Sequence, residues 1–273
     1  LSCLIFMILL YELLKLDYNE EQSFRAVLYM AVFPASFFFI SLYTEALFLL
    51  LVLSSVLYFR KGNYILAAVC SMFSTALRPV GIFMVPVLLA EYFLKDRWVI
   101  GNEGIKSEDS PNEPRKKDMD NLKNEKVPLL SFASIKPVLI LGIIPLGLIS
   151  FMIYCGIREG DILAFSHAEK AYLRFLTVPF VPLWNSVTYL AKWILEIAGV
   201  IIPYDESGII QPTDWRLVLN FFKETLFGTF FCGMIAAMFK KIRPSYWLYS
   251  FLMFILPFST AVGNEGLSGM PRY

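Results

Sequence analysis

Residues 33–79 begin FPASFFFISLYTEALFLLL and end STALRP, and between these ends lie two apolar runs separated by Arg60-Lys61-Gly62-Asn63. Read as a membrane hairpin, the first run crosses from about Ala46 to Phe59 and the second returns from about Tyr64 to Leu77. That path brings Tyr43, Thr44 and Glu45 to the same end as Arg78-Pro79. Both runs are shorter than the ~20 residues a bilayer core usually demands, so the membrane thins there or the flanking polar residues sit below the headgroups. An ionisable residue at such a depth is costly and points to function, with carboxylate and arginine as the natural pair. The plainer alternative is that Arg78 snorkels to the surface and Glu45 starts a helix, where its charge suits the dipole.

The rest of the chain is built of the same material. Of 273 residues, 57% are hydrophobic, with 25 Phe and 14 Tyr, and the mean hydropathy is +0.60. One soluble core cannot hide so much apolar surface, which predicts an all-α, polytopic bundle of transmembrane helices. The net charge of +1 says nothing about nucleic acid, because basic and acidic residues balance, but no basic patch with interleaved aromatics is visible and no nucleic-acid partner is expected. Membrane lipids are the expected surroundings. Cys3, Cys70, Cys155 and Cys232 lie in or beside apolar runs with no CxxC, as small hydrophobes do.

Along the chain, Leu1 to Leu10 resembles the tail of a span, so the sequence is expected to be a fragment lacking an N-terminal part. Leu16 to Ser23 is expected to be a polar link, and Phe24 to Phe39 a span kinked or ended by Phe33-Pro34. By the positive-inside rule the Arg60-Lys61 turn is cytoplasmic, leaving Glu45 and Arg78 outside or in the lumen. Pro79 pushes Arg78 out of helical geometry, and the next span follows from about Val80 to Leu94. The helices of 1–94 thus form one region. Residues 95–136, rich in Lys, Glu, Asp, Asn and Pro, suit a mobile cytoplasmic loop. A span over 137–156, an outer-face loop with interfacial helices over 157–215, and C-terminal spans with an outer loop over 216–273 complete the division. Within the loop, Phe165, Ala168, Tyr172 and Phe175 recur at helical spacing against Glu169, Lys170 and Arg174, which suits a helix in the interface. Trp184 to Ile201 is expected to be interfacial or re-entrant, because a true span would reverse the side of all that follows.

The face holding Glu45 and Arg78 would then collect carboxylates (Glu45, Asp161, Glu169), arginines (Arg78, Arg174, Arg272), His167, and several tyrosines and tryptophans. Arginine forks bind phosphate, a carboxylate accepts the proton of an attacking hydroxyl, and aromatic faces stack on sugars, so a lipid-linked phosphate ester fits this set. The polar loops of a transporter carry similar groups. His167 with Asp161 and Glu169 could form a metal set, but one histidine without a second clustered ligand is more often a hydrogen-bonded interfacial residue. No metal ligand is assigned and no cofactor is expected, a divalent ion remaining open.

FPASFFFISLYTEALFLL, the RKGNY turn and TALRPVGIF together resemble prokaryotic relatives of the second mannosyltransferase of glycosylphosphatidylinositol-anchor assembly. Gly160-Asp161 through Ala164-Phe165 to His167-Ala168 and Arg174, and Ser268-Gly269-Met270-Pro271-Arg272-Tyr273, resemble two further motifs of that family in the same order. Ile162 stands where the family has proline, and Glu169 where glutamine is frequent. The resemblance implies a multi-pass glycosyltransferase of the GT-C class in a prokaryotic cell membrane, or in the endoplasmic reticulum of a eukaryote. It would move mannose, with inversion, from a polyprenyl-phosphate-linked sugar donor to a hydroxyl of a lipid or glycan acceptor. Glu45 and Asp161 are its catalytic candidates, the principal base being an aspartate upstream of Leu1. Substrate binding falls to Arg78, Tyr43, His167, Arg174, Arg272 and Tyr273. The alternatives are a transporter or lipid flippase, which would show repeated halves with polar groups at midplane, and a non-catalytic scaffold subunit.

Overall fold

A computed structural model describes residues 2–33, 36, 39, 44–102, 132–171, 174–176, 178–200, 215–239 and 241–262. The described residues are overwhelmingly helical, an all-α fold, and the chain forms two compact units, Leu1–Tyr154 and Cys155–Tyr273.

In the first unit α1 covers Ser2–Leu14 and α2 covers Glu20–Val32. The polar link is shorter than Leu16 to Ser23, because Asn19 caps α2: its side-chain oxygen accepts from Gln22 N at 2.8 Å, and Glu20 and Glu21 in the first turn suit the helix dipole. Phe33 takes φ −58° and ψ 137°, the extended form a following proline imposes, so α2 ends at Val32 rather than crossing to Phe39.

Helices α3, Glu45–Arg60, and α4, Tyr64–Leu77, form the hairpin, within a residue of the expected runs. Two local devices reverse the chain. Gly62 adopts φ +81°, a left-handed form open to glycine, while the Asn63 side chain caps α4 by accepting from Leu66 N at 3.3 Å. Close packing and hydrogen bonds hold the pair. α4 buries Ala67, Ala68, Ser71, Ser74 and Thr75, a face of small side chains. The buried Ser55 hydroxyl of α3 donates to Ala67 O at 2.8 Å and lies 2.6 Å from Ser71 Oγ, fixing the register of the hairpin.

A 3-10 helix, Pro79–Phe83, leads into α5, Met84–Asn102. The helix outruns the expected boundary at Leu94, and α6 begins at Phe132. The expected loop is therefore helical at both ends, and its centre, 103–131, lies outside the described residues. α6, Phe132–Leu141, and α7, Ile144–Glu159, meet at a two-residue turn, Gly142-Ile143, just before Pro145, which supplies no N–H, and together they bear out the span expected over 137–156. α4 and α7 approach so closely that a Cβ on Gly147 would stand 1.9 Å from Met72 O, and the Thr75 hydroxyl donates to both Met72 O, at 2.7 Å, and Ile144 O, at 2.9 Å.

The second unit continues from the end of α7 through α8, Ala164–Ala171, strand β1, Arg174–Leu176, α9, Val181–Ile197, α10, Trp215–Met238, α11, Pro244–Phe258, and strand β2, Thr260–Val262. Phe175 belongs to β1 and not to the expected interfacial helix. That segment pairs antiparallel with β2, Arg174 opposite Val262, and the ladder's hydrogen bonds override the helical spacing of the aromatic residues. α9 and α10 pack through Tyr189 against Phe221, ring centroids 4.3 Å apart, and Trp193 against Trp215 at 5.6 Å. Lys136–Glu159 and Val218–Met238 are each long and apolar enough to cross a bilayer.

Candidate active site

The site grows from the proline that ends α4. Arg78, held extended at φ −145° and ψ 129° by Pro79, gives its backbone N–H to Ser74 O at 2.9 Å, and its carbonyl accepts from Gly81 N at 2.9 Å. Gly81 is pressed so tightly on α4 that a Cβ there would stand 2.6 Å from the Ser74 carbonyl carbon. A corner built this tightly aims Arg78 at the first turn of α3.

That turn receives it on three sides. Thr44, at the N-terminal boundary of α3, makes no capping bond with its side chain, and its hydroxyl oxygen accepts from Arg78 Nε at 3.1 Å. Glu45 Oε1 accepts from Arg78 Nη2, and the Phe48 ring lies beneath the guanidinium with its centroid 5.9 Å away. Glu45 Oε2 is enclosed and has no hydrogen-bond partner among the described residues. The Arg78 side chain remains 35% exposed, and these contacts occupy two of its five N–H groups. A guanidinium oriented from behind and open in front can bind a planar anion through a fork.

Asp161 and His167 form a second cluster, in the other unit. Gly160 takes φ +72°, and Asp161 then starts α8: its Oδ1 accepts from Leu163 N at 2.9 Å and its carbonyl accepts from Ala164 N at 3.2 Å. Oδ2 lies 2.5 Å from His167 Nδ1, one and a half turns along. The imidazole contact, aided by the Leu163 N–H, holds the Asp161 carboxyl below its ordinary range. Asp161 therefore works first as a helix start and as the fixed partner of His167.

Of the residues expected at the site, Glu45 meets Arg78 and Asp161 meets His167. Arg174 has its backbone in β1, opposite Val262. Its side chain, Tyr43, Arg272 and Tyr273 lie outside the described residues. Phe48 and the Thr44 hydroxyl were not foreseen as Arg78's holders, although Phe48 lies three and four positions after Glu45 and Thr44, the spacing that makes helix neighbours.

A third cluster escaped the sequence entirely. At the other end of α3, Arg60 forks onto Asp17, Nη1 to Oδ2 and Nη2 to Oδ1 both at 2.7 Å, and its Nε is 3.6 Å from Glu91 Oε1 of α5. The three side chains are at most 10% exposed. The available signal was topological: α1, α3 and α5 each end or pass at the same end of an alternating bundle, so charges there can meet.

Comparison with curated proteins and with solved structures gave no match to this chain. A family model matches residues 1–199, a stretch that contains all three clusters. Covering most of the sequence, that match shows that this chain, with its apolar helices and its arginine-carboxylate corner, belongs to the DIE2/ALG10 family of membrane glycosyltransferases.

Proposed function

We propose that the protein transfers a hexose from a polyprenyl-phosphate-linked donor to an acceptor hydroxyl at the outer or lumenal face of its membrane, with Arg78 binding the donor phosphate. The observation that carries this reading is the Arg78 corner, a partly exposed guanidinium gripped from behind by Thr44, Glu45 and Phe48. In the transfer the acceptor oxygen attacks the anomeric carbon, the bond from that carbon to the phosphate oxygen breaks, and the phosphate leaves with the electron pair. Arg78 stabilises the charge that gathers on it. The acceptor proton passes to a carboxylate, an aspartate that the motif resemblance puts upstream of Leu1, and direct displacement inverts the anomeric centre. Glu45 keeps Arg78 aimed. Asp161 and His167 shape the sugar pocket, and Arg174, Arg272, Tyr43 and Tyr273 are proposed to complete the binding of donor and acceptor.

The family favours glucose over mannose as the first donor to test, since DIE2/ALG10 proteins act as α-glucosyltransferases of N-glycan synthesis in the endoplasmic reticulum. Glycosyl transfer is common to this family and to the mannosyltransferases that the motifs resemble, whereas the sugar is not. The test is transfer of labelled glucose and labelled mannose from their polyprenyl phosphates by membranes carrying the full-length gene, beside Arg78→Ala and Glu45→Gln variants of matched abundance. Transfer that vanishes in Arg78→Ala supports the reading. Transfer unchanged in both variants removes the corner from the site, and none from any donor leaves the scaffold role.

A further inference from the structure

The Asp17–Arg60–Glu91 cluster sits at the far end of the helix that carries Thr44 and Glu45. We propose that it is a positioning device for the Arg78 corner, with Asp17 and Glu91 as positioning residues of the transfer reaction. The inference rests on the reading of Arg78 given above.

The argument is one of closed geometry. Helix α3 runs from Glu45 to Arg60, about 22 Å at the rise of an α-helix. The path from Arg78 through the 3-10 helix and down α5 to Glu91 has a contour of about 22 Å as well, from the rises of the two helix types. The two paths are thus tied at both ends, by Arg78 to Glu45 and Thr44 at one and by Arg60 to Glu91 at the other. Asp17, which follows α1, fixes Arg60 through both of its terminal nitrogens and binds α1 into the same frame. α1 itself packs along α3, with Phe6 and Leu13 of α1 buried.

The buried hydroxyls of Ser55 and Ser71 already set α3 against α4, so the cluster is not needed for the hairpin's register. What it adds is the placement of α5 and α1 against α3. Through the five residues that join Arg78 to α5, that placement reaches the guanidinium. A fork that must meet a phosphate works only within a few tenths of an ångström, so a small axial slip of α5 costs transfer while leaving the helices folded.

The experiment is a double-mutant cycle on transfer by the full-length protein, pairing Arg60→Lys with Arg78→Lys. Arg60→Lys keeps the charge and loses the fork. Glu91→Gln, which leaves the Arg60–Asp17 bridge whole, is the second variant for the case in which Arg60→Lys does not accumulate. Residues this far apart without shared partners give multiplicative effects on rate. A positioning role predicts instead that Arg60→Lys and Glu91→Gln each lower kcat by about tenfold with KM for the acceptor unchanged. Arg78→Lys then costs at least threefold less in either background than in the wild type. Effects that multiply, or a normal kcat in Glu91→Gln, overturn the proposal. If Arg78→Ala itself keeps full transfer, it is the reading of Arg78 that fails, whatever the cycle gives.

Discussion

At the level of single residues the arrangement assigns different tasks to side chains of one kind. Arg78 keeps a third of its side chain exposed and Arg60 is enclosed, and they differ also in the number of carboxylate bonds each makes. Arg78→Lys retains the charge but gives up the fork, and is expected to lower transfer by ~10²-fold, the usual cost of one preorganised donor at a reacting anion. Transfer within threefold of wild type in membranes of equal protein content would contradict this. Asp17→Ala leaves the Arg60 guanidinium enclosed without its principal partner and should lower stability by about 3 kcal/mol, read from chemical denaturation in detergent. For Asp161 the sign follows from its lowered carboxyl. The stabilisation drawn from His167 and Leu163 is complete above the ordinary value of 3.8 and disappears as pH falls through the lowered one. The gap in melting temperature between the protein and Asp161→Asn should therefore be flat at neutral pH and close only in strong acid. A gap that widens on acidification would show that the pair is held in some other way.

At the level of elements, small residues carry the packing. Gly147→Ala drives a methyl group into Met72 O and the Thr75 hydroxyl, and the nearer of these is backbone, which cannot turn aside as the end of a flexible side chain can. It should cost about 3 kcal/mol or abolish accumulation, as overpacking does. Gly233→Ala in α10 meets nothing within 4 Å and should be neutral or stabilise by up to ~1 kcal/mol. Equal effects of the two substitutions on melting would show that helix propensity, not close approach, rules both positions. The hairpin was readable in the sequence because glycine, asparagine and proline mark its corners and each acts locally. The span expected over 137–156 was readable from its apolar composition, and only Pro145 signalled the short turn within it. The β1–β2 ladder was not readable at all, since a three-residue strand is defined by a partner more than eighty positions away.

At the level of the whole chain, composition sufficed for an all-α membrane protein, and four short motifs sufficed for glycosyl transfer. The sugar did not follow from them, because the residues that bind phosphate are shared by enzymes whose sugars differ. The Glu45–Arg78 pair was foreseen because a hairpin of equal arms returns the chain to where it started. The Asp17–Arg60–Glu91 cluster was not, since its members come from three helices whose mutual rotation no local pattern records. Sidedness is open to direct measurement. With the four natural cysteines replaced, Lys61→Cys in closed vesicles should react with an impermeant maleimide from the cytoplasmic side, and Thr44→Cys only from the opposite one; the reverse pattern would invert the topology. Arg60 adds a dimension of time to that topology. As the chain emerges during synthesis, Asp17 precedes Arg60 and Glu91 comes after both, so the arginine first meets a single carboxylate and the pair is neutral. Once α5 has followed, Glu91 brings a second carboxylate to the arginine. A cation that looks in the sequence like a signpost for insertion ends enclosed in the fold, and Lys61 is the cation of that turn that stays exposed.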